Sequence, residues 1–423
     1  MDRTTMAENM LACLAAEGVE LNGDLGQVES VLRGEVLKIG AEALRLHVQK
    51  VRGGYEGSSR PCSCGERQRF VGQRERVLAT LLGSVPIRRA YYHCKHCGQS
   101  CLPYDEAAGL GENQVSVGLA KAATLLGIHE PFESSARMLH ELTGQRLSER
   151  TIERLTHQVG EVAGAEEEAL SARRAAWDVP AALAAPARLY VAVDGVMVHQ
   201  EDGWHEAKTA VCYWEDAEGK RESRYVARFE GASEFADFVW GLACRCGLKN
   251  AQEVILLGDG AHWIWDHVAP LLEGCTGIVD WYHALQHVWA CGSVLHGEGT
   301  EMCTQWVKKV ETLLWEGDVR AISRQLEEER GHTRSPTKRA ALDALLTYLR
   351  NQDDRLAYDR FRQRGLDIGS GRVEAACKSV VGVRMKRNGM RWSPKGAQTT
   401  LSLRARWMNG EWERFWATRP LAA

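Results

Sequence analysis

Along residues 1–50 apolar side chains recur every three or four positions, in "MAENMLACLAAEG" and "GEVLKIGAEALRLHVQKV", a spacing that predicts helices. A turn-rich break, "YEGSSRPCSCGERQRF", follows. "RERVLATLLGSVPIRRAYYHCKHCGQSCLPYDE" then shows short extended runs around Gly83-Ser84, which predict a hairpin turning there. From about Glu106 to Ala185 the spacing is helical again. Phe132, Ala136, Leu139 and Leu142 line one helix face, Gly144 makes a short turn, and Ser148 is a good N-cap. Ile152, Leu155 and Val159 line the helix after it. Two short helices around a glycine match a helix-turn-helix, and equally any helical hairpin in a bundle.

Past the Ala/Pro linker "AAWDVPAALAAPA" the period changes. "RLYVAVDG" reads as a continuous apolar strand ending in Asp194, and "HEAKTAVCYWED" and "RESRYVARFEG" as two strands around a turn. "SEFADFVWGLACRCG" is a helix. "EVILLGDGAHWIWDHV" is a buried strand ending in Asp259 that runs into a helix, and "TGIVDWYHALQHVWACG" repeats that plan with Asp280 at the strand end. This order predicts a mixed sheet with further strands added in parallel. Residues 301–362 are amphipathic, charge-rich and helical, an insert before the last segment. The expected organisation is a multidomain α+β chain. It has a helical region (1–55), a zinc-ribbon-like hairpin (56–104), a helical DNA-binding region (105–185), an α/β domain (186–300), the insert (301–362), and the rest of that domain with a basic tail (363–423).

With 423 residues the chain exceeds one ordinary core, and roughly two to four domains are expected. Neither a bilayer-spanning apolar run nor a secretory leader pattern is visible, so a cytosolic protein is expected. The formal net charge is only −3, but from Arg362 onward Arg and Lys crowd together. Such clusters suit a phosphate-binding face, or a plain solvated helix. The 13 cysteines, odd in number and scattered, argue against a disulfide framework. Cys212, Cys275 and Cys291 lie in apolar segments and read as small core residues.

Cys62, Cys64, Cys94 and Cys97 differ. "CKHCG" has the usual zinc-knuckle spacing, and "CSCG" is one residue tighter. Four thiolates can converge on one tetrahedral ion, with Cys101 or His93 available to replace a ligand. Such a structural zinc would serve folding. The acids form the second constellation. Asp194 in "VAVDG" and Asp259 in "LLGDG" each close an apolar strand, and carboxylates at neighbouring strand ends point into the crevice outside a sheet. An Asp-Gly after a strand is also a common turn. Two carboxylates close together stay ionised only with a cation between them, and hard divalent ions such as Mg²⁺ prefer oxygen ligands. Glu374 can be a third ligand on a helix whose Val373, Ala376, Cys377 and Val380 face the sheet. Arg372, Lys378, Arg384, Lys386, Arg387 and Arg391 surround it and suit the flanking phosphates of a nucleic acid. Ser148 and Arg150, at the start of the second short helix, are expected DNA contacts.

"LYVAVDG", "GDGAHWIW", "DWYHALQHV" and "GSGRVEAACKSVVGVRMKRNGMRW", in this order, resemble the ISKra-type bacterial insertion-sequence DDE transposases, distant relatives of the Mutator-like transposases. The resemblance covers most of the chain, including "RRAYYHC" and the cysteines. It implies an RNase H-like catalytic domain with Asp194, Asp259 and Glu374 as its three acids. It also makes Asp280–His283 resemble the acid-x-x-His motif that places His283 near the scissile phosphate; His262, His287 and Lys208 are weaker candidates for the same site. The implied reaction is DNA cleavage and strand transfer with Mg²⁺ or Mn²⁺. The helix-turn-helix and zinc segment would bind terminal inverted repeats, a homodimer would act on element and target DNA, and the protein would sit in the bacterial cytoplasm at the nucleoid. The rival expectations are an RNase H-like nuclease that cuts without joining, and a domesticated DNA-binding protein without chemistry.

Overall fold

The computed structural model describes residues 2–111 and 113–418. The chain is mixed α+β and divides into two compact units. The first contains the residues up to Gly127 and Phe132–Leu155; the second contains Ile128–Pro131 and Thr156–Ala417.

In the first unit, helices α1 (Arg3–Ala16) and α2 (Leu25–Lys50) start at Asp2 and Asp24, whose side chains accept from Thr5 N and Gln27 N. Strands β1 (Ser59–Pro61), β2 (Arg67–Thr80), β3 (Gly83–His93) and β4 (Ser100–Cys101) form an antiparallel sheet in chain order. The long hairpin turns at Leu81-Leu82 rather than at Gly83-Ser84. Thr80 pairs with Gly83, and the Thr80 hydroxyl accepts from Leu82 N and donates to the Gly83 carbonyl. Gly83 opens β3 at φ 131, a conformation that favours glycine. Val48, Leu78, Val85, Ile87 and Leu110 form a small core.

Helix α3 (Pro103–Ala108) is followed by α4 (Val117–His129) and α5 (Phe132–Thr143). After Gly144 at φ 74, α6 (Glu149–Ala172) begins with Ser148 as its cap, accepting from Thr151 N at 3.2 Å. The helix expected to be short therefore runs for 24 residues. Its apolar stripe, Ile152, Leu155 and Val159, continues to a buried Ala163, so nothing stops it at one DNA-groove length.

The second unit is built on a five-stranded sheet of β5 (Arg188–Gln200), β6 (Gly203–Glu215), β7 (Arg221–Arg228), β8 (Glu253–Gly258) and β9 (Thr276–Val279), ordered β7-β6-β5-β8-β9. The first three are antiparallel, β8 adds in parallel beside β5, and β9 in parallel beside β8. Leu189, Val191, Val193, Ile255, Leu256 and Leu257 are fully buried, which accounts for the continuous apolar runs. Helix α7 (Ala232–Arg245) is the predicted crossover. One expectation is corrected. Asp194 does not end its strand, because β6 continues to pair with β5 as far as Gln200 after the β8 pairing stops at Ala192. The segment after β8 is also irregular, a single π turn (Ile264–Val268) and a 3-10 turn in place of a regular helix.

Helix α8 (Trp281–His296) follows β9. The insert consists of α9 (Glu301–Trp315), α10 (Val319–His332) and α11 (Pro336–Gln352), and α12 (Tyr358–Gln363) leads back toward the sheet. The basic segment forms α13 (Gly371–Ala376), a π turn (Cys377–Gly382) and α14 (Val383–Met385), followed by α15 (Pro394–Met408) and α16 (Trp412–Ala417). Val373, Ala376, Cys377 and Val380 are buried, and α13 packs on β5 and β6, as the apolar spacing predicts. No helix among the described residues is long and apolar enough to cross a membrane.

Candidate functional site

Two clusters carry chemistry, one in each unit. In the first unit the Cys62, Cys64, Cys94 and Cys97 sulfurs all lie within 4.8 Å of one another. Each pair sits at one end of the β sheet, where the tight loops after β1 and β3 turn. Gly65 at φ 88 and Gly98 at φ 76 give those loops the left-handed residues they need. Backbone hydrogen bonding at Cys64 holds the Cys62 thiol below its ordinary value, while burial and the neighbouring sulfurs push Cys64 and Cys97 above theirs, as expected of thiols crowded together. This set can hold zinc, and with four protein ligands it has no open position. The tight "CSCG" pair is therefore no obstacle. Cys101 lies outside the set and accepts a hydrogen bond from Arg60, and His93 bonds Ser100.

In the second unit, the β5–β8 register pairs Ala192 with Leu257 and so carries Asp194 and Asp259 past the same end of the parallel pair. Glu374 arrives on α13, across the same face. Asp194 Oδ1 accepts from Gly195 N at 2.7 Å, and the Cys377 thiol, one turn beyond Glu374, points to its other oxygen at 3.7 Å. Burial pushes the Asp194 carboxyl above its ordinary value, and the charges of Asp259 and Glu374 add to the rise against the pull of the Gly195 N–H. Asp259 Oδ1 accepts from Ala261 N at 2.9 Å, and Glu374 Oε1 accepts from the Ser370 hydroxyl at 3.2 Å. Among the described residues none of these three acids makes a salt bridge, even though Glu374 lies in the most cationic stretch of the chain.

Carboxylate oxygens that repel one another in a half-buried crevice suit a hard divalent cation. The three acids are not drawn in as closely as the sulfurs. The cysteine set is the one group among the described residues whose ligand atoms all fall within 4.8 Å.

Beside Asp259 stand His283 and His287, one turn apart on α8, with their Nε2 atoms 3.3 Å from each other. Burial and the neighbouring His283 hold His287 below the ordinary histidine value, against the pull of Asp259. Its ring stacks on Tyr348 of α11 at 3.9 Å. Burial, then Asp259 and Asp280, push the Tyr348 phenol upward, and its buried hydroxyl has no hydrogen-bond partner among the described residues. Gly260, at φ 89, lies against that ring, and Gln352 donates to its carbonyl at 3.1 Å. Sequence reading missed Tyr348 and Gln352; their signal was a polar pair one turn apart on the otherwise apolar inward side of an amphipathic helix. His262 is exposed. Lys208 is buried, paired with Glu206 at 3.0 Å, and opposite Gly195.

The cationic residues divide. Lys378, Lys386 and Arg391 are exposed, and the Arg391 guanidinium donates to the Glu201 carbonyl. Arg372 stacks on Tyr213 at 4.5 Å. Two of them are engaged within the protein. Arg384 is 1% exposed and lies over the Trp392 ring at 4.5 Å, and Arg387 is committed to the Glu130 carboxylate and the His129 carbonyl. A basic run on a helix that buries one face must bury some of its cations, and spacing alone does not say which. Arg404, also buried, donates to the Ser379 and Val380 carbonyls of the π turn, groups that regular helical bonding would have used. Ser148 and Arg150 are exposed on the first unit. A cleft of about 680 Å³ near Tyr190, Tyr213 and Arg372 is not the acid site, since none of the three acids lines it.

No curated protein matches the chain. The model of the uncharacterised protein family UPF0236 matches residues 24–417, nearly the whole of the sequence, and the chain belongs to that family.

Proposed function

We propose that this protein is the transposase of a bacterial insertion sequence, cutting DNA and joining the cut ends to a target at a DDE site in an RNase H-like domain. The observation that carries the reading is the gathering of Asp194, Asp259 and Glu374, from three distant segments, at one end of a buried parallel strand pair with no counter-cation of their own. Membership in a transposase-like family supports it. So does the strand order, three antiparallel strands with the fourth added in parallel beside the first and the fifth beside the fourth, an order that an RNase H-like domain would have.

Asp194 and Asp259 would hold Mg²⁺ or Mn²⁺ between them, with Glu374 completing a second position. When bound, such ions neutralise charge on the scissile phosphate and lower the pKa of the attacking oxygen. His283, fixed at the first turn of α8, offers a ring N–H to a phosphate oxygen. Lys378, Lys386 and Arg391 would take the flanking phosphates. The zinc segment and the α5–α6 region would bind the terminal inverted repeats, and a homodimer would bring two ends to target DNA in the nucleoid.

The test uses linear duplex DNA covering the flanks of the gene, with Mg²⁺ or Mn²⁺. Joined products are expected. Nicks without joining would favour a nuclease, and shifted but uncut DNA would reduce the protein to a DNA reader.

A further inference from the structure

Asp280 links the parts of the acid site, and cleavage and joining chemistry does not by itself assign it a role. It is 2% exposed. One carboxylate oxygen accepts from His283 N at 2.6 Å, which caps α8. The other accepts from the Ser370 backbone N–H, at the start of the helix that carries Glu374. Ser370 in turn donates its hydroxyl to Glu374 at 3.2 Å. The Asp280 N–H donates to the Gly258 carbonyl at 2.8 Å, immediately before Asp259, and Trp281 N donates to the Ile368 carbonyl at 2.9 Å. Capping a helix needs one acceptor. The second oxygen is spent on a different segment, and that segment is the one that sets where Glu374 stands.

We propose that Asp280 is a positioning residue that ties the end of β8 and the first turn of α8 to the Ser370–Glu374 turn, fixing Glu374 relative to Asp259 and Asp194 and so setting the affinity of the three acids for a divalent ion. This rests on reading those acids as a metal site. Partners that orient a ligand typically change metal affinity 10–100-fold when lost.

Asp280→Asn separates the two arms. Its amide oxygen can still accept from His283 N, while its NH₂ would meet the Ser370 N–H donor to donor. Mn²⁺ binding to the full-length protein, followed by electron paramagnetic resonance, is the readout, with Glu374→Gln as reference. We expect Asp280→Asn to bind Mn²⁺ about tenfold more weakly while still folding, with a lowered unfolding temperature from the unsatisfied Ser370 N–H, and Ser370→Ala to weaken it less. Wild-type affinity in Asp280→Asn, with weakened binding in Glu374→Gln, overturns the positioning role alone. Wild-type affinity in both overturns the acid-site reading and this inference with it. If the Asn variant does not fold, Asp280→Ser, whose single hydroxyl can cap α8 but cannot also reach the Ser370 N–H, decides: unchanged Mn²⁺ affinity there also overturns the proposal.

Discussion

The cysteine set and the carboxylate set are both clusters of side chains able to bind a cation, yet they are built in opposite ways. The four sulfurs come from two tight loops of one small sheet and converge within 4.8 Å. The three acids come from β5, the loop after β8 and α13, each held by its own backbone or hydroxyl donor, and they stand further apart. Soft thiolates in a closed tetrahedron leave an ion no reacting position, so zinc there contributes to folding. On the proposed reading, hard oxygens carried by a core that is already folded would leave room for a substrate oxygen. Removing the metal should therefore unfold one region and merely silence the other.

The largest effect that could break this contrast is expected at the zinc set. Cys94→Ser should abolish stoichiometric zinc in metal analysis and destabilise the first unit by more than about 4 kcal/mol; full zinc content with unchanged melting would refute it. Next, Asp259→Asn should lower the cleavage rate about a thousandfold or more while DNA binding and melting stay near wild type. Loss of binding as well would make Asp259 a structural residue. A third pair of variants sharpens the division among the cations. Arg384→Ala removes a buried guanidinium and its stacking on Trp392, and should cost about 2–4 kcal/mol in denaturant unfolding. Lys386→Ala should leave stability alone and reduce the salt slope of DNA binding by about 1.

The smallest effect has a sign opposite to the usual one. Because the folded state raises the Asp194 carboxyl above its ordinary value, the metal-free protein loses stability as pH climbs from that ordinary value through the raised one. Asp194→Asn should therefore melt slightly above wild type without divalent ions, and the order should reverse when Mg²⁺ is added. Melting below wild type in the metal-free state would show that the carboxylate is stabilised by its surroundings.

The cysteine cluster was legible because its spacing is local: two loops of one hairpin sheet fix four sulfurs. That Asp194 and Asp259 come near one another was legible from two parallel strands of equal apolarity, although β5 running on to Gln200 could not be foreseen from a pattern that its partner β6 extends. Glu374 followed from the burial of Val373, Ala376, Cys377 and Val380 on one side of its helix. The insert helices were legible, but not that α11 brings Tyr348 and Gln352 to the loop after β8, since no local rule reports which helix packs there. That Arg384 and Arg387 are engaged within the protein was not legible for a related reason. A cation buried over Trp392 or paired with Glu130 has the same letter as one in water, and both partners lie elsewhere in the chain.

The claim that most of this depends on is that three carboxylates from separate segments share divalent ions. Anomalous scattering at the manganese edge, from crystals soaked in Mn²⁺, tests it directly. The account predicts density bounded by Asp194, Asp259 and Glu374, absent in Asp259→Asn. Manganese found only elsewhere, or bound there with Asp259 replaced, would contradict it.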